Sequence, residues 1–245
     1  GRIICFKTAF LAPDISNSPV NFFLPFICIF FSTTIDITNL TTVTTTMLDT
    51  LKICKEKNHE DASYKLYELI NSRISSNNNY NIGLSGGSTP KEFYNILAKN
   101  NKDQENITLW TVDDRHVSTE SHLSNQSMIN EIFSNTSFNI LPYAFEENPH
   151  ESALKYAELV LSNITKFNAA ILGVGDDGHI ASLFPNTEAM NNDSFGFVAN
   201  EVNILSKWRI TSTFKLLETV EDIFLLVTGD NKNSILQEIG KNNSL

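Results

Sequence analysis

Short apolar runs alternate with segments of helical periodicity along most of the chain. Runs or branched stretches of strand length lie at 80–84, 107–112, 169–172, 195–199, 208–211 and 223–227. Apolar residues recur at three-and-four spacing in segments at 58–75, 90–97, 124–133 and 151–164. Continuous apolar runs are typical of parallel strands covered on both faces. The alternation therefore predicts one α/β domain with a mainly parallel sheet flanked by helices.

The first 46 residues differ from this pattern. They contain an apolar run at 22–31 that is too short to span a bilayer, followed by a threonine-rich tract. Arg2 and Lys7 precede the run. We interpret residues 1–46 as a leader or a non-native extension, disordered or loosely packed, and residues 47–245 as the folded domain.

The net charge and the cysteine content limit which partners and which cellular compartment are expected for the protein. The formal net charge is −10, which disfavours a general affinity for nucleic acid or anionic membranes. The three cysteines have neither metal-ligand spacing nor the number for a disulfide framework, so a reducing compartment is expected. We predict a cytoplasmic protein without stable membrane insertion, with organellar targeting by residues 1–46 left open. The oligomeric state, monomer or dimer, stays open.

A glycine-rich loop follows the strand at 80–84. It reads Ser85-Gly86-Gly87-Ser88-Thr89 and leads into a helix, with Thr89 as a candidate cap and Pro90 in the first turn. Such a loop offers free N–H groups to an anion at a helix N-terminus. A tight turn that merely needs glycine is the alternative, and a Walker loop is excluded because the Gly-Lys-Ser/Thr ending is absent.

Ionisable residues follow the strand at 107–112. Asp113, Asp114, Arg115 and His116 stand directly after it and form a second candidate rim of the same crevice; the alternative is a solvated loop. Ser124 opens the next helix. His122 and Asn125 are candidates to face a ligand, although capping by Ser124 or Asn125 is the favoured interpretation.

The stretch after the strand at 169–172 carries the strongest candidate chemistry. It turns through three glycines and presents Asp176, Asp177 and His179. The spacing matches G-x-G-x-x-G, but two carboxylates inside the loop would repel a pyrophosphate. His179 suits a general base near neutral pH, and Asp177 could orient its ring. The alternative role of Asp177 is to cap a helix that begins at His179 or Ile180.

Four motifs in this order resemble the 6-phosphogluconolactonase family: Ser85–Pro90, Trp110–Val117, Ser124-Asn125 and Gly173–Pro185. Arg209-Ile210-Thr211 and Gly229-Asp230-Asn231-Lys232 are similar to later motifs of that family. The resemblance implies a NagB/RpiA-like, modified Rossmann-type fold. It also implies hydrolysis of 6-phospho-D-glucono-1,5-lactone to 6-phospho-D-gluconate in the oxidative pentose phosphate pathway, with no cofactor and no metal.

The resemblance also implies roles for individual residues. His179 would activate water for attack on the lactone carbonyl, with Asp177 beside it. The residues that would hold the substrate and its phosphate are Ser85, Gly86, Gly87, Ser88, Thr89, Asp113, Arg115, Arg209 and Lys232. Family members usually continue past a position like Leu245, so the domain is expected to be truncated at its C-terminus, and residues 1–46 have no counterpart in the family pattern.

Two other functions stay open. Glucosamine-6-phosphate deaminase shares the glycine-rich loop and the Asp-Gly-His turn, but it uses a glutamate in a Phe-Asn-Glu-Pro context. This chain reads Ser182-Leu183-Phe184-Pro185 there, without a carboxylate, which favours the lactonase. The other alternative is a non-catalytic module that binds sugar phosphates.

Overall fold

The fold is given by a computed structural model that describes residues 26–32, 51–204 and 206–228, and the statements below concern these residues. The strands are β1 Phe26–Ser32, β2 Leu51–Glu56, β3 Tyr80–Leu84, β4 Ile107–Thr111, β5 Asp113–Arg115, β6 Asn139–Ile140, β7 Ala169–Leu172, β8 Phe197–Glu201, β9 Trp208–Ser212 and β10 Asp222–Val227. The helices are α1 His59–Ile74, α2 Lys91–Asn101, α3 Asn125–Ile132, α4 Pro149–Asn163 and α5 Phe214–Leu217, with a 3-10 turn at Glu188–Asn191.

Seven strands form the central sheet in the order β2-β1-β10-β7-β3-β4-β6, and every neighbouring pair is parallel. All four residues of β7 and all six of β10 are buried, as expected for strands covered on both faces. This confirms the predicted mainly parallel sheet flanked by helices. The carboxyl ends of β3, β7 and β10 consequently meet at one edge, where open α/β sheets bind ligands.

Helix α1 shows how the predicted periodicity is realised. Asn58 caps it, with its side chain accepting a hydrogen bond from the N–H of Asp61. Ala62, Leu66 and Ile70 recur at four-residue spacing and are fully buried in the core. The helix therefore covers one face of the sheet, and helix α4 packs its own apolar stripe into the core cluster on the other.

Strand β1 lies inside the stretch that was expected to be a leader. It occupies the position between β2 and β10, with Phe26 opposite Asp222 and Ile27 opposite Leu51. The expectation of a disordered or loosely packed segment is therefore wrong for Phe26–Ser32, because this apolar run hydrogen-bonds to strands on both sides. Residues 1–25 and 33–50 lie outside the described residues, as do residues 229–245, where the C-terminal truncation is expected.

A second, small sheet was not predicted as a separate unit. It is antiparallel, with the order β5-β9-β8. Asp113–Arg115, which had the alternative interpretation of a solvated loop, is instead a short strand whose two aspartates are buried. The small sheet packs beside the carboxyl edge of the central sheet, since the N–H of Ser212 donates to the carbonyl of Val112 at 2.9 Å.

In the described part of the chain, no helix combines the length and the apolar character needed to cross a membrane.

Asp222 makes the stability of the sheet depend on pH. Its carboxylate is buried at the start of β10 and lies 3.0 Å from Nη1 of Arg73. Burial raises the pKa of Asp222 to about 6, although the charge of Arg73 acts in the opposite direction. An unfolded aspartate has a pKa of about 3.9. Between these values the native state holds a proton that the unfolded state has released, so stability falls as the pH rises.

Replacing Asp222 by Asn removes this titration. We expect the free energy of unfolding of the unmodified chain to fall by about 2 kcal/mol, relative to Asp222→Asn, between about pH 4 and 7. Urea unfolding of both proteins across this range measures the difference, with Asp103→Asn, a change at an exposed aspartate, as the control. A difference that stays constant with pH would contradict the assignment.

Candidate active site

A cavity of about 310 Å³ opens at the carboxyl edge of the central sheet. Its lining includes nine of the residues predicted from the sequence: Ser85, Gly86, Gly87, Ser88, Thr89, Asp113, Arg115, His179 and Arg209. Asp177 stands behind His179 and contacts its ring. Lys232 lies outside the described residues, so its predicted place in the site stays a prediction.

The glycine-rich loop is fixed at its start by buried hydrogen bonds. The N–H of Ser85 donates to the carbonyl of Ile171 at 3.2 Å, and the hydroxyl of Tyr94 donates to the carbonyl of Ser85 at 2.8 Å. Gly87 has a φ of 92°, a conformation that favours glycine. Thr89 does not cap helix α2 as expected: Pro90 takes the cap position, and no side chain bonds there. The N–H of Lys91 donates to the carbonyl of Ser88 at 3.3 Å, and the other N–H groups of the first turn could face an anion.

Asp113 and Asp114 have separate roles that their adjacency in the sequence does not reveal. Asp114 accepts hydrogen bonds from the N–H groups of Arg115, Asn125 and Gln126 and from the hydroxyl of Ser124, and so fastens helix α3 to β5. Asp113 lines the cavity and accepts from the hydroxyl of Ser182 at 2.5 Å. Only Asp113 is available to a substrate.

Burial and the neighbouring charges have opposite effects on the pKa of Asp113. Burial raises the pKa of this carboxyl, while the Ser182 hydroxyl and the charges of His179, Arg209 and Arg115 act to lower it. The side chain therefore depends on these neighbours for its negative charge.

Asn125 is a cavity residue that the predicted site omits. Ser124 is the cap of α3, since its side chain accepts from the N–H of Ser127, and Asn125 is free for another task. Its Nδ2 donates to the carbonyl of Asp113 at 2.7 Å, and a Cβ added to Gly86 would lie 1.8 Å from its Oδ1. Asn125 thus joins the glycine-rich loop to β5. His122 is exposed and does not contribute to the cavity lining.

His179 is held in a tight turn. Its Nδ1 lies 2.5 Å from Oδ1 of Asp177, and its N–H donates to the same oxygen at 3.2 Å. The N–H of Gly175 donates to the carbonyl of His179 at 2.8 Å. On its other side, the imidazole ring packs against the ring of Phe184, with centroids 3.9 Å apart. These contacts fix the orientation of the ring.

No helix begins at His179 or Ile180, so the capping role considered for Asp177 is wrong. The missing helix also removes the helix N-terminus that a dinucleotide-binding loop needs. Burial acts to raise the pKa of Asp177, but the hydrogen bond and the charge of His179 outweigh it and lower that pKa. An ionised Asp177 accepts a hydrogen bond from the Nδ1–H group of His179, which leaves Nε2 of His179 as the proton acceptor.

Two arginines supply positive charge to a protein that is acidic overall. Arg115 and Arg209 are register partners in β5 and β9, and both line the cavity. Arg115 donates from Nη1 to the carbonyl of Leu123 at 2.8 Å. Burial and the charge of Arg115 lower the pKa of Arg209, although Asp113 and Asp114 act in the opposite direction. A buried guanidinium group of Arg209 and a half-buried one of Arg115 on the same cavity suit a phosphate.

Within the described ranges, no group of three or more histidine, cysteine or acidic residues could hold a metal ion.

Comparisons with known proteins show the family of the chain. The family model described as "Glucosamine-6-phosphate isomerases/6-phosphogluconolactonase" matches residues 55–244. The chain belongs to this family. The 6-phosphogluconolactonase of Haemophilus influenzae is 34% identical over 173 residues, which cover 66% of this chain and 74% of that protein. The 6-phosphogluconolactonase of Nostoc is 30% identical over 187 residues, 69% of this chain and 75% of that protein.

Solved structures of the family share the fold. The crystal structure of 6-phosphogluconolactonase from Thermotoga maritima superposes with a TM-score of 0.70 at 23% identity, over 88% of this chain and 90% of that chain. The 6-phosphogluconolactonase from Leishmania guyanensis gives a TM-score of 0.66 at 21% identity, over 74% and 82% of the two chains. The predicted NagB/RpiA-like fold is thereby confirmed.

Proposed function

We propose that this chain hydrolyses 6-phospho-D-glucono-1,5-lactone to 6-phospho-D-gluconate, the lactonase step of the oxidative pentose phosphate pathway, with His179 as the general base. The observation that carries the proposal is that His179, oriented by Asp177, lines the same cavity as the glycine-rich loop and two arginines. A small molecule that carries both a phosphate ester and a lactone carbonyl would meet these two parts of the cavity at once. The relatives named above, which carry this activity in their names, support the same substrate.

In the proposed complex, the phosphate lies at the glycine-rich loop. The groups that would bind the substrate are the backbone and hydroxyls of Ser85, Gly86, Gly87, Ser88 and Thr89, the side chains of Arg115 and Arg209, and Lys232. Free N–H groups at the start of α2 and the two guanidinium groups provide charge-assisted hydrogen bonds to phosphate oxygens. Asp113 would accept a hydrogen bond from a sugar hydroxyl, because its negative charge would repel the phosphate.

The chemistry requires only a proton acceptor and water. Nε2 of His179 takes a proton from a water molecule as its oxygen adds to the lactone carbonyl carbon. The bond between this carbon and the ring oxygen then breaks, and the imidazolium returns the proton to the departing oxygen as a hydroxyl. Asp177 stabilises the imidazolium between the two steps because its carboxylate lies against Nδ1.

The position of Phe184 bears on the alternative deaminase function. Phe184 occupies the place of the glutamate in the deaminase pattern, and its ring packs on His179. It offers no carboxylate for acid-base work on an open-chain sugar. The geometry therefore favours lactone hydrolysis over amine loss.

The test is turnover by the purified chain. We expect the rate of 6-phosphogluconolactone hydrolysis to exceed the spontaneous rate measured without protein, and no ammonia to be released from glucosamine 6-phosphate. Ammonia release would support the deaminase. Binding of 6-phosphogluconate without any turnover of the lactone would support the non-catalytic module. We further propose a cytoplasmic location, because the odd number and the spacing of the three cysteines do not indicate a disulfide framework.

A further inference from the structure

Ser182 uses all three of its polar groups in buried hydrogen bonds to different parts of the chain. Its hydroxyl donates to Oδ2 of Asp113 at 2.5 Å. Its N–H donates to Oγ1 of Thr211 at 3.2 Å, and its carbonyl accepts from Nδ2 of Asn200 at 2.8 Å. These partners lie on β5, β9 and β8. Ser182 therefore ties the segment after His179 to every strand of the small sheet.

The segment that Ser182 anchors is not regular structure. After His179 the chain makes an isolated bridge between Ile180 and Leu183, and Ala181 inside it has a φ of 49°. A residue other than glycine in this left-handed conformation costs about 1 kcal/mol or more, and it persists only where its surroundings hold it. The turn thus depends on tertiary contacts to keep its shape, and the hydrogen bonds of Ser182 are the ones next to Ala181.

The small sheet carries the cations of the cavity. Arg115 and Arg209 face each other across β5 and β9, and Asp113 is paired with Thr211 in the same register. A contact that fixes the His179 turn to this sheet therefore also fixes the distance from the imidazole to the groups that would hold the substrate. Displacements of about 1 Å between reacting groups can cost about a hundredfold in rate.

We propose that Ser182 is a positioning residue for the reaction, whose hydroxyl bond to Asp113 sets the imidazole of His179 against the substrate held by the small sheet. This inference rests on the proposed lactonase function. Ser182 lines the cavity, but its three polar groups are engaged by Asp113, Thr211 and Asn200, so it acts through Asp113 and the turn. The start of the glycine-rich loop is anchored separately, by hydrogen bonds of Ser85 with Tyr94 and Ile171, so the loss of the Ser182 hydroxyl is expected to leave this part of the phosphate site in place.

The first variant is Ser182→Ala. We expect kcat for the lactone to fall about tenfold, with KM and the dissociation constant for 6-phosphogluconate unchanged within about threefold, because the lost contact matters mainly in the transition state. The matched control is Ser63→Ala, which removes the hydroxyl of a serine that is equally buried but lies in α1 away from the cavity. The control is expected to keep the kcat of the unmodified protein.

A second variant removes another hydrogen bond of Ser182 by changing its partner Thr211. Thr211→Val preserves shape, leaves Ser182 intact and removes the acceptor of the Ser182 N–H. We expect the same pattern with a smaller loss, about threefold in kcat. If either folded variant retained the kcat of the unmodified protein, or lost affinity for 6-phosphogluconate in proportion to its rate, the positioning role would be wrong. Absence of turnover in the unmodified protein would instead reject the lactonase function itself.

Discussion

Replacing His179 by Ala should lower kcat for 6-phosphogluconolactone by about two to four orders of magnitude, the range that general base catalysis contributes. The cause is the loss of Nε2, the only ring nitrogen that Asp177 leaves free to accept a proton. The substrate contacts from the glycine-rich loop and the arginines stay in place, so KM should change little. Initial rates, corrected for spontaneous hydrolysis, measure both constants.

His122→Ala is the matched control for this change. His122 is exposed and stands outside the cavity lining, although its sequence position also made it a candidate to face a ligand. Its removal should leave kcat and KM as they are. Equal activity in His179→Ala and the unmodified protein would reject His179 as the base.

Gly175→Ala should cost about a hundredfold in kcat, although the substitution adds a single methyl group. A Cβ on Gly175 would lie 2.2 Å from both Cε1 and Nδ1 of His179, and 2.8 Å from Oδ1 of Asp177. The imidazole would have to leave the place where Asp177 and Phe184 hold it. The glycine is thus required by a close approach of the ring, and kinetic constants together with a thermal unfolding curve would separate this effect from general destabilisation.

The chain offers a control two residues away. A Cβ on Gly173 meets no heavy atom within 4 Å, and Gly173 does not adopt a positive φ. Gly173→Ala should therefore retain stability and, although Gly173 also lines the cavity, lose much less kcat than Gly175→Ala. If Gly173→Ala and Gly175→Ala lost activity to the same extent, the close packing of His179 on Gly175 would not be the cause.

Local signals were sufficient to predict the main elements of the central sheet. The strand Tyr80–Leu84 and the helix beginning after Asn58 were predicted at the positions where the structure has them. Both depend on local pattern: an apolar run between turn residues, and four-residue spacing behind a capping side chain. The three loops with candidate chemistry meet in one cavity because parallel strands end at the same edge.

The errors arose where structure depends on distant partners. Nothing within the run at 22–31 shows that β10 and β2 lie on either side of it, so β1 was assigned to a leader. The pairing of Asp113–Arg115 with β9 joins residues almost a hundred positions apart, which no local periodicity indicates.

Two cavity residues were left out of the predicted site for a related reason, although Asn125 was a candidate to face a ligand. Asn125 and Ser182 stand next to residues with stronger signals, a helix cap and the histidine turn. Their importance comes from contacts with Asp113, 12 and 69 positions away in the chain. The motifs that resemble the lactonase family include both residues but assign them no role.

The central claim is that one hexose phosphate spans the glycine-rich loop and His179. A crystal structure of the protein with 6-phosphogluconate bound tests it most directly. We expect the phosphate at the N–H groups of Gly86–Thr89, with the guanidinium group of Arg209 on its oxygens, and the carboxylate of the ligand within hydrogen-bond distance of Nε2 of His179. A ligand bound with its carboxylate away from His179, or outside this cavity, would contradict the claim.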